Sequence, residues 1–158
     1  MKRKISRKPP TGAPEGIVWF GGPVDRWSIS LRVYGEQLDP GNISEILGCD
    51  PTSSERKGAR GCLDDGAPIP RTSHWLLGIE SKNFGEQDDV DGIRMLLERL
   101  PSAGDLWASL TSTYNVDVFC GVYMETWNRG FGISPEVSRM LSDRNLEVEF
   151  DKYFDPPK

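Results

Sequence analysis

Val116-Asp117-Val118-Phe119-Cys120-Gly121-Val122-Tyr123 puts Val116, Val118, Cys120 and Val122 on one side of an extended chain, because side chains alternate with period two. That pattern predicts a strand covered on one face and flanked by others. The chain continues through Met124-Glu125-Thr126-Trp127-Asn128-Arg129-Gly130-Phe131-Gly132-Ile133 to Ser134-Pro135, a loop that carries Trp127, Asn128, Arg129 and Phe131 together.

Working outward, Trp27 to Tyr34 sets Ile29, Leu31 and Val33 against Ser28, Ser30, Arg32 and Tyr34, which predicts a half-buried strand. His74 to Glu80 repeats the pattern with Trp75, Leu77 and Ile79, and Leu146, Val148 and Phe150 alternate with Glu147, Glu149 and Asp151, whose acidic face must be wet. Ile17-Val18-Trp19-Phe20 reads as a short edge strand closed by Gly21-Gly22-Pro23. Helices are announced by their ends. Leu38 to Gly48 carries Asp39 as a cap, Pro40 in the first turn and Gly48 as a left-handed stop, with Ile43, Ile46 and Leu47 inward. Asp89 to Leu100, after a turn around Gly85, places Ile93, Leu96, Leu97 and Leu100 on one stripe. Ala103 to Thr113 continues the helical pattern through Leu106, Trp107 and Leu110, and Ser134-Pro135-Glu136 starts a further helix with Val137, Met140 and Leu141 inward. Strands with one polar face predict a single α+β domain: a mainly antiparallel or mixed sheet of four to five strands, with helices on one face. From Cys49 to Ser73 no periodicity persists, so that segment reads as one long connection.

The chain has 158 residues, enough for one domain with a real core. Residues 1–16, basic and rich in Pro and Gly, read as a disordered tail, and residues 17–155 as the domain. No apolar run approaches the roughly 20 residues of a membrane span, and no secretory signal is visible. A cytoplasmic protein is expected. Three widely spaced cysteines, Cys49, Cys62 and Cys120, fit neither a disulfide framework nor a metal site, so reduced thiols are expected. The whole chain carries −5 and its first eight residues +5, so residues 9–158 carry −10. An acidic body repels phosphate backbones and suits a basic protein partner, which disfavours nucleic acid.

A series of short motifs runs along this framework: Leu31-Arg32-Val33-Tyr34-Gly35-Glu36-Gln37-Leu38-Asp39-Pro40, Ile46-Leu47-Gly48-Cys49-Asp50-Pro51-Thr52 and Arg56-Lys57-Gly58. Trp75, Asn128-Arg129-Gly130-Phe131 and Asp151-Lys152-Tyr153-Phe154 complete it. The series resembles the bacterial domain-of-unknown-function family 4279 from about Trp27 to Phe154, with Ile5 to Arg26 and Gly61 to Thr72 unmatched. The resemblance implies a small bacterial α+β domain among stand-alone immunity or accessory factors. It carries no catalytic residues across.

For function, Trp127, Asn128, Arg129 and Phe131, together with Arg32, Tyr34 and Tyr123 on polar strand faces, form the leading candidate surface, since aromatics and Arg anchor protein interfaces. The same loop has a structural reading: Trp127 and Phe131 close the end of the sheet and Arg129 pairs with a neighbouring carboxylate. An alternative is an anion site from Arg56, Lys57, Arg60, Arg71 and His74, in a small-molecule sensor or a cryptic enzyme with a cleft between the 49–73 loop and the sheet. Solvated loop charge is the simpler explanation of those residues. His74, the single histidine, has no partner that sequence can name as a base. Cys62 lies near Arg60, where a thiolate is favoured, whereas Cys120 on the apolar strand face is expected to be inert. The Asp64-Asp65 and Asp88-Asp89 pairs lack the spacing of a calcium loop, and neither a phosphate-binding glycine loop, a nucleophile elbow nor a zinc signature occurs. No cofactor, metal or catalytic residue is therefore assigned. The expected function is a non-enzymatic module that binds a basic protein such as a toxin, with homodimerisation through an edge strand as a further possibility.

Overall fold

The computed structural model describes residues 24–58, 72–80, 91–125 and 129–154. In them the chain forms β1 (Arg26–Gly35), α1 (Pro40–Leu47), β2 (Ser53–Glu55), β3 (Ser73–Glu80), α2 (Asp91–Glu98), α3 (Gly104–Thr113), β4 (Asn115–Met124), α4 (Pro135–Ser142) and β5 (Glu147–Phe154). The five strands make one mixed sheet in the order β2-β3-β1-β4-β5, with β4 and β5 parallel and every other pair antiparallel. This is the α+β domain that strand and helix periodicity predicts. The tail, Ile17 to Phe20, Arg60, Cys62, Asp64-Asp65, Arg71, Gly85, Asp88-Asp89, Trp127 and Asn128 lie outside the described residues.

Alternation in the strands decides which face is covered. Trp27, Ile29, Leu31 and Val33 of β1 share one face with Trp75 and Leu77 of β3 and Val118, Cys120 and Val122 of β4, all buried. The helices lie on that face and add Ile43, Leu47, Ile93, Leu96, Leu97, Trp107, Leu110, Val137 and Leu141 to one continuous core. The Val116 to Tyr123 strand is interior, between β1 and β5, while β1 takes the middle of the sheet. Burial pushes the Cys120 thiol up to about 12, which leaves it without appreciable thiolate at neutral pH.

Local chemistry sets the helix ends. The Asp39 carboxylate accepts from the Gly41 amide at 3.0 Å, Pro40 opens α1, and Gly48 closes it at φ 69° with its amide donating to Ser44 O at 2.8 Å. The Gly41 bond and the Arg56 guanidinium hold the Asp39 carboxyl below its ordinary value. Ser134 Oγ accepts from the Val137 amide at 3.2 Å at the start of α4. Tertiary bonds then fix the layer: Trp75 Nε1 donates to Ser44 Oγ at 3.0 Å and Trp107 Nε1 to Pro101 O at 2.8 Å.

Two details depart from the sequence-level expectation. The 49–73 connection contains β2, a strand of three residues without apolar alternation. It forms because Thr52 clasps β3, its amide donating to Leu76 O at 2.8 Å and its Oγ1 accepting from the Gly78 amide at 2.9 Å. Phe150 faces the helix side yet is 38 % exposed, because β5 is an edge strand.

Gly92 lets α2 pack tightly against the sheet. A Cβ there would stand 2.5 Å from the Trp27 ring and 2.6 Å from Ile29 Cδ1, both core atoms. Gly92→Ala is expected to destabilise by about 1–3 kcal/mol despite the better helix propensity of alanine. A chemical-denaturation midpoint at or above that of the parent protein would show that the helix shifts freely.

Candidate functional site

The face of the sheet opposite the helices carries the candidate site, and its composition follows from the register. The antiparallel and parallel pairings place Glu55, His74, Tyr34 and Asn115 in one row across the strands, and Leu76, Arg32, Asp117 and Glu147 in the next. Gly78, Ser30, Phe119 and Glu149 follow, then Glu80, Ser28, Gly121 and Asp151, then Arg26, Tyr123 and Tyr153. Ser28 and Ser30 stand beside Gly121 and Gly78, so the centre of the face is low. At Gly121 a Cβ would meet Ser28 Oγ at 2.8 Å.

Arg32 organises one end. Its Nε and NH2 donate to the two Asp117 oxygens at 2.6 and 2.9 Å, and NH2 also donates to Glu149 Oε2 at 2.6 Å. The guanidinium lies 4.5 Å from the Phe119 ring centre and 5.9 Å from that of Tyr34. Burial alone would lower its pKa, but the bonds to Asp117 and Glu149 outweigh that and raise it. Arg26 organises the other end, 3.6 Å over the Tyr123 ring, which stacks on Tyr153 at 4.8 Å between centroids. Tyr153 OH donates to Asp151 Oδ2 at 2.7 Å, and this bond to the carboxylate raises the phenol's pKa. Among the described residues the face holds six carboxylates, from Glu55, Glu80, Asp117, Glu147, Glu149 and Asp151, against the two arginines. It is therefore negative and aromatic, suited to cationic groups.

The surface predicted from sequence divides between two sides. Arg32, Tyr34 and Tyr123 lie on the open face. Phe131 lies on the helix side, its ring 4.8 Å from that of Phe150, where both line a small apolar cleft with Trp27, Ile29, Ile93, Cys120 and Val122. Arg129 forms a two-pronged ion pair with Asp25, Nε to Oδ2 at 2.7 Å and NH2 to Oδ1 at 3.0 Å. Asp25 Oδ2 also accepts from the Glu125 amide at 2.8 Å, so the pair ties the exit of β4 to the entry of β1. Of the alternative anion site, Arg56 pairs with Asp39 and Lys57 reaches Glu36 at 3.4 Å. His74 stands on the open face with its ring 6.4 Å from that of Tyr34, and the Lys57 amide donates to Oγ of the preceding Ser73 at 2.9 Å. No group of three or more His, Cys, Asp or Glu side chains is placed to hold a metal ion among the described residues.

Sequence reasoning left out Arg26, Asp117, Phe119, Tyr153 and the role of Glu149. Their signal was present, since residues 117, 119, 121 and 123 occupy the second face of the strand that defined the fold. What was missing was the register that brings five strands' worth of them together. No helix among the described residues is long and apolar enough to cross a membrane. No curated protein and no solved structure matches the chain. The sequence model of one family, Domain of unknown function (DUF4279), spans residues 25–155, and the chain belongs to that family.

Proposed function

We propose that the protein is a non-enzymatic binding module of the bacterial cytoplasm, of the immunity or accessory type, whose open sheet face docks a basic partner protein. One observation carries the reading: that face bears six carboxylates, and Arg32, on its middle strand, is already neutralised by Asp117 and Glu149. The rings of Tyr34, Phe119 and Tyr123, which lie against Arg32 and Arg26, supply apolar area beside the charge.

Glu147 and Asp151 are exposed and suit a charge reversal. A pull-down from the source organism is expected to recover a basic protein, and Glu147→Lys/Asp151→Lys to weaken its binding tenfold or more, about 1.4 kcal/mol. Met95→Lys, on the helix side, is expected to leave binding unchanged. Equal binding by the reversed and parent proteins at low salt would remove the open face from the interface.

A further inference from the structure

The sheet has two edges, guarded in different ways. β2 closes one with only three residues, too short to template a long pairing. β5 closes the other with eight residues, and among the described residues the backbone of Glu147 to Tyr153 bonds only to β4. Its two faces are chemically distinct. Glu147, Glu149, Asp151 and Tyr153 stand on the open side, while Val148, Phe150, Lys152 and Phe154 stand on the other, with Phe150 against Phe131. Exposed apolar side chains gather here: Phe131, Phe150, Tyr153 and Phe154 are all 36 % exposed or more.

A second copy is a poor occupant for this edge. Two β5 strands related by a two-fold axis through the sheet must pair residues of the same face. Every such register that overlaps the strand centres sets Glu149 opposite Glu149, Glu149 opposite Asp151 or Asp151 opposite Asp151, and like charges directly opposite destabilise a pair. The same carboxylates favour a strand of the opposite sign.

We infer that β5 captures a strand of the partner, one with Lys or Arg at alternate positions beside Glu147, Glu149 and Asp151 and apolar residues between them against Phe150 and Phe131. This rests on the proposed basic partner and adds its mode of recognition: main-chain hydrogen bonds extend the sheet, and alternation gives selectivity.

Three acetylated octapeptides test it at low salt: alternating Lys-Val, the same sequence with every backbone nitrogen methylated, and alternating Lys-Gly. Binding is followed by fluorescence anisotropy, and hydrogen exchange reports on the amides of residues 148–153. Lys-Val is expected to bind at least tenfold tighter than either control and to slow exchange along β5. Equal binding of all three without slowing on β5 overturns strand capture and leaves the acidic-face reading standing, since charge alone then suffices. Failure of every peptide to bind also overturns strand capture, and charge reversal against the recovered partner then judges the acidic face independently.

Discussion

Arg129→Ala is expected to lower the unfolding free energy by about 3–5 kcal/mol, the cost of breaking a buried ion pair by removing one partner. The pair qualifies because the side chains of Arg129 and Asp25 are only 12 % and 9 % exposed and meet through two hydrogen bonds. Removing the cation leaves a desolvated carboxylate that still accepts from the Glu125 amide at 2.8 Å. Asp25→Ala is expected to cost at least as much, since it removes an acceptor from both the guanidinium and that amide. The double variant is expected to cost less than the two single changes together, with a coupling above about 1 kcal/mol in a double-mutant cycle. A urea midpoint for Arg129→Ala that implies less than about 1 kcal/mol would show the pair to be solvated. A binding defect in Arg129→Ala therefore reports first on the junction between β1 and β4.

Arg144→Ala is expected to cost about 2–4 kcal/mol, combining lost hydrogen bonds with a cavity. Arg144 is 5 % exposed, and its hydrogen-bond partners are carbonyls: Nε donates to Pro101 O at 3.2 Å, NH1 to Met140 O at 3.0 Å and NH2 to Leu97 O at 3.4 Å. These carbonyls lie at or near the ends of α2 and α4, where helix dipoles favour a cation. Its guanidinium also lies 5.9 Å from the Trp107 ring centre, so one side chain joins α2, α3 and α4. Burial lowers its pKa while the Asp143 carboxylate works against that, and an arginine stays charged at any relevant pH. Arg144→Met, which restores volume without donors, is expected to recover part of the loss. Thermal unfolding that is unchanged in Arg144→Ala would place the ends of α2 and α4 in contact with water instead.

Neither side chain announces its role in the sequence. Arg129 sits in a loop where interface anchor and internal ion pair look alike, because its partner Asp25 is separated by most of the chain. Arg144 follows a helix whose other basic residue, Arg139, is exposed, and nothing local tells the two apart. By contrast α1 was readable end to end: Asp39, Pro40 and Gly48 each do a job that depends on neighbours within four residues. β2 was unreadable for the complementary reason, since Ser53-Ser54-Glu55 has no pattern of its own and exists through Thr52 and the exposed edge of β3.

The sequence by itself determined the class of fold, the covered face of each long strand and the caps of α1 and α4, because period, turn chemistry and capping act over a few residues. Tertiary structure alone decided that Val116 to Tyr123 lies beside β1 and β5, that Arg32 meets Asp117 and Glu149, and that Phe131 and Tyr123 face opposite sides. Those facts depend on strand order and register across separations of many tens of residues, which alternation within a single strand does not encode.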